Sequence, residues 1–140
     1  MNAVRLGVVV ILLVAVAMGA SASDVVYPKP VSSALPMYPE RARAVHVAGT
    51  VRLWFVLNGN GEVSQAEVVS GNPMLCDAAV YTVKSWKFRP NSIPPNVRHE
   101  TQFVYVLRVQ SREGEPRLIV SMTDFRRIEI VSETYTETIE

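Results

Sequence analysis

Apolar and polar positions alternate in three stretches of this chain, and in one stretch they recur with a helical period. From Thr50 to Leu57, Val51, Leu53, Phe55 and Leu57 share one face while Thr50, Arg52, Trp54 and Val56 share the other, which is the period of a strand. Asn58-Gly59-Asn60-Gly61 follows; Asn and Gly tolerate positive φ, so this is a hairpin turn returning the chain antiparallel through Glu62 to Ser70. Val63 and Val68 lie an odd number of residues apart and cannot share a face of a regular strand. A bulge between them, or Val69 turned inward, is required. From Arg98 to Val109, Phe103, Tyr105, Leu107 and Val109 oppose Gln102, Val104, Val106 and Arg108. Both faces are apolar enough to predict cover on the second side, by the tail or by a neighbouring chain.

The helical period runs from Asn72 towards Pro90. Leu75, Ala78, Ala79, Thr82, Val83 and Trp86 fall on one face; Asn72 is placed to cap the start, Pro73 sits where a missing N–H costs nothing, and Asp77 lies near the positive end of the dipole. The helix is expected to end near Trp86, where Phe88 breaks the period and Pro90 forbids continuation. A shorter helix is expected from Glu40 to Val47, with Pro39 in the first turn and Gly49 supplying the exit. Asn91 to Asn96, with Pro94-Pro95, reads as an irregular loop. Leu118 to Met122 and Arg126 to Val131 read as two further strands, and the short Gln110 to Arg117 connection predicts a meander in which the first of them pairs with the Arg98 to Val109 strand. The last residues, with Glu133, Glu137 and Glu140, are expected to be solvated and frayed.

These elements predict an α+β fold, a two-layer sandwich in which an antiparallel sheet (three strands plus a C-terminal hairpin) carries two helices on one face. The chain divides into a leader over 1–22, a tether over 23–35 in which Tyr27-Pro28-Lys29-Pro30 is extended, a domain over 36–109 and an extension over 110–140. Arg5 precedes an apolar run from Leu6 to Ala20, and Ala20-Ser21-Ala22 has the small-x-small form of a signal peptidase site. Cleavage after Ala22 and a periplasmic location are expected; the alternative is an inner-membrane anchor through 6–20, a run shorter than the roughly 20 residues a span requires. No cysteine near that site signals lipidation.

Charge changes the picture by exclusion. Without Arg5 the 14 basic residues become 13, against 13 acidic, so a nucleic-acid partner or an anionic membrane surface is not expected. The single cysteine, Cys76, suits an exported chain without disulfides and packs at the border of the helical stripe. His46, His99, Cys76 and Asp77 are the candidates for metal or catalytic chemistry, yet no two stand at a ligand spacing such as His-x-x-x-His, so no catalytic residue, cofactor or metal is expected. The glycine pair around Asn60 lacks both a following helix and the acidic residues of a calcium loop. Trp54, on the polar face beside Arg52, marks either a contact surface or a place covered by the tether or another chain.

Leu75 with Ala78-Ala79, then Trp86-x-Phe88-x-Pro90, preceded by Tyr38-Pro39, Ala42, Gly49-x-Val51-x-Leu53-x-Phe55, Gly61-x-Val63 and Ser70-Gly71, resembles the TonB C-terminal domain family over roughly residues 36 to 109. The resemblance implies the same two-layer fold and a non-catalytic domain that adds an extended segment of an outer-membrane receptor to a sheet edge, in energy-coupled transport. The edge it points to is Gln102, Val104, Val106 and Arg108. In the transducers a Gln-Pro-x-Tyr-Pro sequence is associated with docking, and here Pro36, Tyr38 and Pro39 match while Leu35 replaces the Gln; packing of Tyr38 and Pro39 against the short helix is the alternative. The chain lacks the long Pro-rich spacer of members that bridge two membranes, and the leader lacks the polar residues that engage a motor. The expected partner is an envelope protein such as an outer-membrane receptor, or a second copy in a homodimer; a self-capped or strand-exchanged assembly subunit is the competing reading.

Overall fold

Residues 27–110 and 114–135 are described in the computed structural model. The leader over 1–22 with its cleavage site, and Glu137 and Glu140, lie outside them. Five strands form one sheet in the order β2-β1-β3-β5-β4, with β1 Gly49–Leu57, β2 Val63–Ser70, β3 Arg98–Gln110, β4 Arg117–Asp124 and β5 Arg127–Tyr135. Helices α1 (Glu40–Ala44) and α2 (Pro73–Lys84) contribute Ala42 and Leu75, Ala79, Thr82 and Val83 to burial. Val51, Leu53, Phe55 and Leu57 of β1 meet them in a single core with Phe103, Tyr105, Ile128 and Ile130. The α+β sandwich is therefore as the periodicities predict.

The alternation of β1 and β2 closes with the expected bulge. Leu57 pairs with Val63 and Val56 with Gln65, so Ser64 is the extra residue, and Val63, Ala66 and Val68 all face the core. A second irregularity next to Arg52 leaves Val69 exposed. Asn58 organises the turn, its Oδ1 accepting from the N–H groups of Asn60 and Glu62 at 3.0 Å each. Gly61, at φ 79°, packs so closely that a Cβ would collide with the Phe88 carbonyl, while the Phe88 N–H donates to the Gly61 oxygen at 2.8 Å. The hairpin is thereby fastened to the segment after α2.

Asn72 caps α2, its Oδ1 accepting from Met74 N–H at 2.9 Å, and Ser85 closes the helix at the other end. Trp86 and Phe88 are both buried, and the Phe55 ring stands edge-on to Trp86 and stacked on Phe88. Helix α1 is shorter than expected. It stops at Ala44 because His46, not Gly49, takes the left-handed turn at φ 55°; Gly49 is already the first residue of β1.

The tail departs most from expectation. β4 does not pair with β3: it pairs antiparallel with β5, and β5 pairs parallel with β3, from Gln102↔Arg127 to Gln110↔Tyr135. Parallel neighbours require a crossover, and here β4 is that crossover, carrying the chain out so that β5 returns between β3 and β4. Phe125, Ile128 and Ile130 are the physical reason, since all three reach the core while Leu118, Ile119 and Val120 remain exposed. Glu133, expected to be frayed, lies in β5 with Arg108 at 3.9 Å. Residues 31–34, expected within a free tether, are tied down. Val31 N–H donates to the Lys87 oxygen at 2.7 Å and Ala34 N–H to Ser85 Oγ at 2.8 Å.

Candidate partner-binding edge

Gln102, Val104, Val106 and Arg108 alternate along β3 on the face away from the helices. Their register partners are Arg127, Glu129, Val131 and Glu133 of β5 on one side; on the other, Gln102 and Val104 pair with Arg52 and Thr50 of β1. The strand that the resemblance points to as a binding edge is thus the middle strand of the sheet, and its second edge is filled by the chain's own tail, one of the two covers expected. Two hydrogen bonds, one from a side chain and one from the backbone, hold that tail in place. Thr101, buried, donates from Oγ1 to the Phe125 carbonyl at 2.5 Å, and Gln102 N–H donates to the Arg126 oxygen at 2.9 Å. The apolar character of Val104 and Val106, read as needing cover, is matched by Val131, itself buried on that face.

Tyr38 is only 6% exposed. Its hydroxyl donates to the Val47 carbonyl at 2.5 Å, and its ring stands edge-on to Tyr105 at 5.3 Å. Burial pushes the Tyr38 hydroxyl above its ordinary pKa. Tyr105 is also raised, chiefly by burial and then by Cys76 and Tyr38, and its buried hydroxyl has no hydrogen-bond partner among the described residues. Tyr38 therefore anchors the approach to α1, and the surface of this segment is offered by its neighbours. Leu35, Met37 and Pro39 line an apolar groove of about 610 Å³ with Met74 and Tyr81 of α2. This groove escaped the sequence reading, although Met74, Ala78 and Tyr81 at i, i+4 and i+7 form a second stripe on α2 that signals it.

The remaining candidates are dispersed. His99 Nε2 lies 2.8 Å from the Pro94 carbonyl with its ring against Phe55 and Phe125, while His46 is exposed at the end of α1. Cys76 is a half-buried free thiol whose pKa is raised, first by burial and then by Asp77, so it is less nucleophilic than an exposed cysteine. Among the described residues no three His, Cys, Asp or Glu side chains gather where a metal could bind. Trp54 is buried within the described residues themselves, with the Arg98 guanidinium 4.1 Å above its ring. Among the described residues no helix is long and apolar enough to cross a membrane.

The family described as Gram-negative bacterial TonB protein C-terminal matches residues 34–107, which takes in α1, β1, β2, α2 and nearly all of β3, and leaves out β4 and β5. The solution NMR structure of Pseudomonas aeruginosa TonB CTD is similar at 25% identity, covering 53% of this chain and 78% of that chain with a TM-score of 0.42. No curated protein matches the chain. With more than half of its length matched, the chain belongs to the TonB C-terminal family, whose members are non-catalytic protein-interaction domains of the cell envelope, engaged in energy transduction for transport and in contact with outer-membrane receptors.

Proposed function

We propose that the protein is an exported binding module that takes an extended segment of another envelope protein as an added strand along β3, in TonB-dependent transport. One observation carries the reading: nine consecutive residues of β3 already hold an added strand, β5, supplied by the extension beyond the family match. β5 is an example in cis of what that edge accepts. Backbone pairing supplies the affinity, and Ile128 and Ile130 at alternate positions enter the core. A partner segment with apolar residues at the same alternation takes the place of the hairpin. Pro39, Leu35 and Met37 flank the entry to α1 as an accessory contact, with Tyr38 holding them in place.

Withdrawing β5 exposes Phe125, Ile128 and Ile130, whose burial contributes about 1.5–3 kcal/mol each. The incoming strand must bring comparable apolar surface, and its apparent affinity falls by the fraction of molecules in which the edge is free. Locking the tail tests this. Val106→Cys with Val131→Cys, in a Cys76→Ala background, places thiols on register partners of β3 and β5. The reduced protein is expected to capture an outer-membrane receptor from envelope extracts and the oxidised protein to lose that capture. Equal capture by both forms removes strand exchange at β3. Capture by neither favours the second reading, a self-capped envelope subunit, which draws its support from the depth at which Phe125, Ile128 and Ile130 are buried.

A further inference from the structure

The two margins of the sheet differ in how they are guarded. β2 carries Gln65 and Glu67 and is bent by two irregularities against β1, all of which discourage a foreign strand. β4 has neither device. Leu118, Ile119 and Val120 stand in sequence at 47%, 44% and 38% exposure, no Pro or Lys interrupts Arg117–Asp124, and its one irregularity against β5 lies at the end, between Met122 and Asp124. A straight, apolar, unguarded edge strand is a template for pairing.

We propose that β4 pairs antiparallel with β4 of a second copy about a two-fold axis normal to the sheet, joining two five-stranded sheets into one. Symmetry restricts the register. Such an axis keeps each residue on its own face, so only residues separated by an even number can stand opposite one another. Within Arg117–Asp124 two registers keep nearly the full overlap. Centring on Ser121 sets Leu118 against Asp124, where the strand is irregular. Centring on Val120 sets Val120 against its own copy and Leu118 against Met122 twice on the helix side, with Ile119 against Ser121 on the other. That register unites the exposed apolar residues and turns Arg117 towards the Thr123–Asp124 end of the partner, base towards acid. The strand lies beyond the family match, so the contact leaves α1, α2 and the groove between them free. It requires β5 to occupy β3, so it describes the form in which no partner strand is bound.

One strand pair is less than a standard interface, so the dimer is weak. Sedimentation of the purified protein is expected to show mass rising towards that of a dimer as concentration goes from roughly ten micromolar to roughly one millimolar. In a Cys76→Ala background, Val120→Cys is expected to form an intermolecular disulfide under mild oxidation at least about tenfold faster than Leu118→Cys, because residues opposite across an antiparallel pair lie about 4.5–5.5 Å apart and only position 120 faces itself. Val120→Lys, tolerated at an exposed position, is expected to abolish association while the urea midpoint stays in place. Monomeric mass throughout, equal rates for the two cysteine variants, or association that survives Val120→Lys each overturn the proposal. In the last case a contact elsewhere, such as the α1–α2 groove, holds the copies together.

Discussion

β1 and β5 flank the same strand and have the same apolar alternation, yet they stand in different relations to the core. Val51, Leu53, Phe55 and Leu57 of β1 are all buried in the core that the helices share. β5 buries Ile128 and Ile130 but brings in β4, over which no helix lies among the described residues and in which three consecutive apolar residues are exposed. On the function proposed above, one neighbour of β3 belongs to the framework and the other is a docked addition. Equal patterning therefore does not imply equal cooperativity, since what a strand contributes depends on what lies over it.

The largest effect is expected from Phe55→Ala, which removes the ring that touches Trp86, Phe88 and Phe125. A loss of about 3–5 kcal/mol in urea unfolding, with every strand melting together, marks β1 as framework. Ile130→Ala is expected to cost about 2–5 kcal/mol in the hairpin, with β4 and β5 amides exchanging much faster while those of β1 keep most of their protection. Uniform loss of protection would instead make the hairpin and the framework a single folding unit. Thr101→Val leaves the Phe125 carbonyl without its donor and is expected to cost about 1–3 kcal/mol, again read most strongly in the β4–β5 amides.

Tyr105→Phe has the smallest expected effect. The hydroxyl is buried with no partner, so its removal is expected to leave stability at neutral pH unchanged or up to about 1 kcal/mol higher. The pH dependence has a definite sign. Because the folded-state pKa is raised, the unfolded chain ionises first as pH climbs above about 10, so stability that is intact below that pH drains away in the alkaline range. In urea titrations from pH 8 to 11, the Phe variant is expected to lose less stability than the parent; identical alkaline losses would place the responsible group elsewhere.

Much of the framework was legible because its signals are local. The alternation of Val51 to Leu57, the Asn58 turn, the bulge demanded by the odd spacing of Val63 and Val68, and the Asn72 cap are each set by residues a few positions apart. The pairing of the tail was not, because period 2 says which face a residue takes and nothing about which strand lies beside it. A short connection suggested that β4 would adjoin β3, but the advantage of burying Phe125, Ile128 and Ile130 decided for β5. One clue was present: Ile128, Ile130 and Val131 supply apolar residues to both faces, as an interior strand requires, whereas the charged Arg117 and Asp124 end β4. Cover of Trp54 by Arg98 and burial of Tyr38 beneath Tyr105 were beyond reach for the same reason, since both depend on tertiary neighbours far away in the chain.

The start of the described chain is fixed at an unusual place. Tyr27 stands edge-on to Phe125 at 5.4 Å and lies 3.7 Å beneath the Arg126 guanidinium, so the first described residue is clasped to the bend between β4 and β5. Tension applied at Tyr27 is expected to reach that bend ahead of the helices. A pull on Tyr27 is therefore expected to loosen the tail at the same moment.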